Sequence, residues 1–277
     1  MDPRRMCPHC RAFITNKDRV CPYCNETVGP RAADQRNPAA LLGGLIPPGR
    51  FNIIAILLVN VGLYLATTIY SMRSGNSEGF MNIDGRTLLA FGAKYPPLIA
   101  AGQWWRLVTA GFLHGGLFHI FMNSYVLFDV GWQVEEVYGA SRMWVIYFIA
   151  STFGFYVSSV WSSALSVGAS AGLMGLIGAM IVMGMRHRSA LGDAVRGHYV
   201  RWVIWILVIG LLPGLHVDNA AHVGGLAGGF GVAWLAGQPR LGDSLRERLW
   251  RAASWFCILL TVVSFLKWYL WFSQATQ

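Results

Sequence analysis

Cysteine, serine, histidine and asparagine carry the chemistry this sequence offers, and they fall in two places. Near the N-terminus stand two Cys-x-x-Cys pairs, Cys7-Pro-His-Cys10 and Cys21-Pro-Tyr-Cys24, ten residues apart. Four thiolates at this spacing close a tetrahedral site of the kind zinc occupies. So short a segment cannot build an adequate apolar core, so the metal would supply its folding energy. Four protein ligands leave no open position, and the expected zinc is therefore structural. A redox role for either pair is the weaker reading. A nucleic-acid surface could use Arg4, Arg5, Arg11, Lys17 and Arg19, but a solvated ribbon explains the same residues better. His9 is a spare ligand, expected to be exposed.

The second place lies within apolar helices. Ser170 stands in Gly168-Ala-Ser170-Ala-Gly172, and His222 in Asn219-Ala-Ala-His222-Val-Gly-Gly225. A Gly-x-Ser-x-Gly string marks a soluble hydrolase only where a strand precedes it. No strand is expected here, which excludes an α/β-hydrolase. Both helices are expected to start at the outer membrane face, so Ser170 and His222 lie at similar depth. Gly168, Gly172 and Gly175 on one helix, with Gly225 and Gly229 on the other, permit close approach. His222 could then take the Ser170 proton and make the oxygen a nucleophile. A helix-packing serine and a histidine bonded to a carbonyl would use the same residues, so both readings stay open at this point.

His119 and Asn123 are spaced i,i+4 and share one helix face. They suit hydrogen bonding to a developing oxyanion, helped by the Ser170 N–H, or hydrogen bonding between helices. His114 at the mouth of that helix is expected to cap or pack. Asp218 lies four residues before His222 at a helix start, so N-capping is preferred to a third catalytic role. Asp129, Glu135 and Glu136 are expected at the inner interface, with pairing to Arg142. There is no His-Glu-x-x-His string, and Asp129 and Asp218 belong to opposite membrane sides, so zincin and aspartyl chemistries lack their residues. A transporter remains open, because histidine and asparagine inside helices also suit ion paths.

These residues need elements to hold them, and composition says which kind. Of 277 residues, 55% are hydrophobic and 13% charged, with mean hydropathy +0.44. Soluble domains carry about 25% charged residues. A soluble globular protein, a disordered chain and a disulfide-rich secreted domain are therefore excluded. The remaining fold class is an all-α polytopic membrane protein. Seven spans are expected, at 51–72, 115–133, 142–161, 168–185, 199–215, 218–236 and 252–272. The sixth, rich in Gly and Ala, is expected to be the central helix. Residues 1–28 form the ribbon and 29–50, with Pro30, Pro38, Pro47 and Pro48, a linker. Residues 73–114 are too long for a turn and suggest a structure lying in the interface, anchored by Trp104 and Trp105.

Net charge is +9. With the N-terminus cytoplasmic, 17 of the 22 Lys and Arg fall on inner segments. The positive-inside rule then places the N-terminus inside and, after seven spans, the C-terminus outside. The first fifty residues are polar and show no signal-peptide core. The bacterial plasma membrane is the expected location.

Together these residues resemble the rhomboid family of intramembrane serine proteases, over about residues 51–236. Gly102-Gln-Trp-Trp105-Arg106 is similar to its Trp-Arg loop motif. His114-Gly-Gly-Leu-Phe-His119-Ile-Phe-Met-Asn123 is similar to its second-helix signature. Glu136-Val-Tyr-Gly139-Ala-Ser141-Arg142 resembles its cytoplasmic turn, Gly168-Ala-Ser170-Ala its nucleophile motif, and Ala221-His222-Val-Gly-Gly225 its base motif.

The resemblance implies a six-helix core, with a seventh transmembrane helix following in 237–277. It implies Ser170 as nucleophile and His222 as base. His119, Asn123 and the Ser170 N–H would form the oxyanion hole. It implies serine endopeptidase activity on transmembrane protein substrates, with no cofactor for catalysis. Met174 stands where the family often has an aromatic residue, four positions after the nucleophile. The resemblance says nothing about the ribbon, whose structural zinc and protein partner rest on the cysteines alone. Nucleic acid is not an expected partner. A non-catalytic membrane chaperone on the same scaffold is the alternative, followed by a transporter.

Overall fold

The computed structural model describes residues 4–7, 9–15, 18–28, 51–215, 217–239 and 244–275. The expected linker at 29–50 lies outside the described residues.

Within the ribbon, β1 (Arg4–Met6) pairs antiparallel with β2 (Phe13–Thr15), with Met6 opposite Phe13. The two Cys-x-x-Cys turns repeat one backbone pattern. Arg11 N–H donates to Cys7 O and Asn25 N–H to Cys21 O; Cys7 N–H donates to Ala12 O and Cys21 N–H to Glu26 O. Arg11 and Asn25 hold equivalent left-handed conformations, with φ of 61° and 54°. The turn makes backbone N–H groups and thiols converge, as metal knuckles require.

Among the described residues beyond the ribbon the named elements are all helices, and the protein is an all-α polytopic membrane protein. α1 (Phe51–Arg73) leads into three short helices, α2 (Gly85–Ala90), α3 (Pro96–Ala100) and α4 (Arg106–Thr109), with a 3-10 turn at Ala110–Phe112. α5 (Leu117–Val126) runs through a π-turn at Leu127–Gly131 into α6 (Trp132–Tyr138). α7 (Ala140–Trp161), α8 (Ser170–Arg186), α9 (Ala190–Ile209), α10 (Asn219–Ala236) and α11 (Leu245–Ala275) complete the chain. Among the described residues, α1, α7 and α11 are long and apolar enough to cross a membrane on those criteria alone. The second expected span carries the π-turn within a continuous helical run, and the fourth, α8, has 17 residues.

Two expectations change here. The fifth helix starts at Ala190, not 199, because Ser189 caps it by accepting from Gly192 N–H, and its first turns are polar. It ends at Ile209, ahead of Pro213. The central helix is α8, not α10: every residue from Ala171 to Val182 is buried, whereas α10 leaves Val223, Trp234 and Leu235 exposed. A helix of small residues need not be innermost. Here its glycines serve contact along one face.

That contact is backbone to backbone. A Cβ on Gly229 would lie 2.2 Å from Gly175 Cα, and one on Gly154 2.6 Å from Ala221 O. α7, α8 and α10 therefore cross with no side chain between them at these points, as small residues allow in membranes.

The segment between α1 and α5 is one locked piece. Asp84 caps α2, accepting from Thr87 N–H and Oγ1 and from Ser71 Oγ on α1. Burial pushes its pKa up, but those hydrogen bonds outweigh it and hold the carboxyl at about 2. Arg106, fully buried, donates from Nε to Gln103 and from Nη1 to Leu89 O and Ala93 O. Its guanidinium lies over the Trp105 and Trp271 rings, at 4.7 and 5.0 Å from the ring centres.

α11 fastens to this piece through Trp268, whose indole N–H donates to Ala90 O at 2.9 Å. Phe265 meets Phe112 edge to face. At its other end Glu247 forms a buried bidentate pair with Arg142, at 2.6 and 2.7 Å. Arg142 was expected to pair with the nearer acids. Glu135 instead accepts from Asn52, and Asp129 from Gln133, so the guanidinium is free to reach the seventh helix.

Candidate active site

Ser170 is the first residue of α8 and is partly exposed. The chain reaches it through Gly168, whose φ of +135° suits glycine and whose N–H donates to Ala110 O at 3.0 Å. First-turn N–H groups have no intrahelical carbonyl to bond, so the backbone around Ser170 presents donors. α10 approaches across the glycine contact. His222 Nε2 stands 2.9 Å from Ser170 Oγ, although 52 positions separate them in the chain.

The other ring nitrogen, Nδ1 of His222, is buried without a hydrogen-bond partner. Asp218 does not serve it. Its carboxylate accepts from Ala221 N–H at 2.9 Å and from Ser158 Oγ, so it caps α10 as the sequence suggested. The arrangement is a pair, not a triad. An imidazole at hydrogen-bond distance from a serine hydroxyl can act as its general base.

His119 reaches the same neighbourhood from α5, and Asn123 lies one turn further along the same helix. The His119 ring covers Gly168: a Cβ there would lie 2.7 Å from His119 Nε2 and 3.6 Å from Ser170 Oγ. Gly115 N–H makes a long 3.5 Å contact to His119 Nδ1, which favours the tautomer with the proton on Nε2. Asn123 is buried, and its Nδ2 has no acceptor. An orphaned buried amide donor is costly unless something accepts from it. A tetrahedral oxyanion would do so. His114 packs edge-on against His119 at 5.1 Å between ring centres, in keeping with a packing role. Met174 is fully buried in the main core.

Two positioning features were not anticipated from the sequence. Gly154 lets α7 reach the start of α10, beside Ala221. Lys94 bonds the loop that precedes Ser170. A lone lysine in the apolar run Phe91-Gly-Ala-Lys94-Tyr-Pro-Pro was the available signal.

In the ribbon, the sulfurs of Cys7, Cys10, Cys21 and Cys24 all lie within 4.8 Å of one another, a cluster that could hold a metal ion. Cys7 Sγ is 3.7 Å from Cys24 Sγ, and Cys10 Sγ 3.6 Å from Cys21 Sγ. A tetrahedron with Zn–S bonds of about 2.3 Å has edges of about 3.8 Å. Those separations also exceed a disulfide's about 2.05 Å. The residues fit the metal.

Comparison with known proteins agrees with the core. A family model described as Rhomboid domain matches residues 101–239, just over half of the chain. Rhomboid protease GluP of Bacillus subtilis (strain 168) is 39% identical over 159 residues, 56% of this chain and 31% of that protein. Rhomboid-like protease 1 of Toxoplasma gondii is 35% identical over 184 residues, covering 63% of this chain and 61% of that one. RHOMBOID-like protein 6, mitochondrial, of Arabidopsis thaliana is 33% identical over 180 residues, with 62% and 57% covered. The chain thus matches between about a third and three fifths of these relatives' own lengths. The family match contains His119, Asn123, Ser170 and His222, and leaves the ribbon, α1 and α11 outside it.

Proposed function

Because the chain belongs to the rhomboid family, we propose that it is an intramembrane serine endopeptidase, cutting other membrane proteins in or near their transmembrane segments. The observation that supports this most is the 2.9 Å approach of His222 Nε2 to Ser170 Oγ. His222 removes the hydroxyl proton as Ser170 attacks the scissile carbonyl. The developing oxyanion accepts from the orphaned Asn123 Nδ2, from His119 Nε2–H and from the Ser170 N–H. His222 then gives its proton to the leaving amine, leaving an acyl-enzyme on Ser170. Water, deprotonated by His222, attacks the ester; the new carboxyl terminus leaves as His222 returns the proton to Ser170 Oγ.

A peptide must be extended to present its carbonyl here. Gly and Ser weaken a substrate helix, so segments carrying them open most readily. On this reading residues 51–236 are the protease core and 237–277 a loop with the seventh helix. The N-terminus lies in the cytoplasm, the C-terminus outside, and the membrane is a bacterial plasma membrane.

The ribbon, residues 1–28, holds structural zinc through its four thiolates and presents a surface to a protein partner. The zinc supplies folding energy to that segment and takes no part in hydrolysis.

Reconstituted protein should cleave a model transmembrane peptide bearing Gly and Ser near its outer end. Ser170→Ala should abolish cleavage. Retained cleavage in that variant would overturn the proposal. Biological function that survives Ser170→Ala without any cleavage would instead indicate a membrane chaperone.

A further inference from the structure

Lys94 is fully buried, with 0% of its side chain exposed, at the end of the locked segment between α1 and α5. An ammonium is rarely placed so deep without compensation. Its Nζ donates to Ser162 O and Ala164 O, both at 3.0 Å. These carbonyls follow directly on the C-terminal end of α7, where the helix dipole is negative. Burial holds the Lys94 pKa below its usual value, opposed only in part by the Asp218 carboxylate.

The backbone repeats the tie. Lys94 N–H donates to Ser166 O at 3.0 Å, and Ser166 N–H to Lys94 O at 3.1 Å, an antiparallel bridge. Two residues on, Gly168 N–H bonds Ala110 O, and Ser170 follows. The segment 162–168 is therefore hung on a rigid support along its length. Lys94 is the side chain that holds its first half, and the Asp218 cap of the His222 helix faces the same charge.

We infer that Lys94 is a positioning residue for the Ser170–His222 pair, fixing the approach to the nucleophile through the carbonyls of Ser162 and Ala164. This rests on the serine-protease reading of the site. Lys94 touches neither reacting atom. It acts by setting where Ser170 begins its helix, so removing it changes turnover more than substrate affinity.

The test uses the full chain in lipid, with Lys94→Met and Lys94→Gln beside wild type. Active sites are titrated with a fluorophosphonate, and cleavage of a fluorogenic transmembrane peptide is measured per titrated site. Misplacing a catalytic group by about 1 Å can cost about 100-fold. Lys94→Met should lower kcat per titrated site about tenfold or more, with KM within about twofold. Lys94→Gln, which keeps a donor for one carbonyl, should fall between Lys94→Met and wild type. A residue that only stabilises the fold would reduce the number of titratable sites and leave kcat per site unchanged. That result in either variant overturns the proposal. If Lys94→Met fails to fold, Lys94→Gln against wild type decides alone. Wild-type protein that neither labels nor cleaves overturns the underlying protease reading instead.

Discussion

Gly225 and Ala171 meet without a side chain between them: a Cβ on Gly225 would lie 2.1 Å from the Ala171 carbonyl oxygen. Ala171 follows Ser170, and Gly225 lies one turn after His222. The contact therefore sets the distance from Ser170 to His222. Gly225→Ala should force the two helices apart, destabilise the fold by about 1–3 kcal/mol, and lower the activity of the protein that remains folded. Thermal unfolding and active-site labelling of Gly225→Ala check this. Unchanged labelling would show that the helices can slide without parting the pair.

Asp218 caps α10, and on the proposed reading it takes no part in catalysis. Asn also caps helices well, so Asp218→Asn should keep most activity, while Asp218→Ala should lose about 1 kcal/mol of stability. In a true triad, an Asp-to-Asn change lowers kcat about 10⁴-fold. Measuring kcat for Asp218→Asn separates the two roles. A loss of that size would mean that Asp218 reaches His222 Nδ1 during catalysis.

The Arg142–Glu247 pair fastens the seventh helix to the core at one end. Removing one partner leaves a buried charge alone and should cost about 3–5 kcal/mol. Arg142→Met and Glu247→Leu together should cost less than either alone, because no charge is stranded. A double-mutant cycle read by thermal unfolding checks this. Additive losses would mean that the pair is not closed in the membrane.

The ribbon should hold one zinc per chain. Elemental analysis of purified protein checks the stoichiometry, and Cys10→Ser or Cys24→Ser should release the metal. Strong chelation should unfold the ribbon while Ser170 remains reactive, because Ser170 and its partner His222 lie on α8 and α10 of the helical core. Loss of Ser170 labelling on chelation would contradict a purely structural metal.

Much of the site was legible in the sequence because polar side chains are costly inside a membrane. Ser170, His119, Asn123 and His222 stand out against apolar neighbours, and charge counting gives the depth expected of them. The Asp218 cap was legible because it precedes its helix. What was not legible depends on distant chain segments. Arg142 and Glu247 are 105 positions apart, so the nearer acids looked like better partners. The start of α9 was hidden because Asp193 and Arg196 interrupt the hydropathy on which span prediction rests. The π-turn at Leu127–Gly131 leaves no mark in composition. Lys94 bonds carbonyls, which every residue carries, so nothing in its neighbours' identities announces the contact.

The central claim is that Ser170 is activated by His222. Fluorophosphonate labelling of the purified chain, with the modified residue located by mass spectrometry, tests it without knowledge of the substrate. The account predicts an adduct on Ser170 in the wild type, none in Ser170→Ala, and none above background in His222→Ala. An adduct on another serine, or undiminished labelling of Ser170 in His222→Ala, would contradict it.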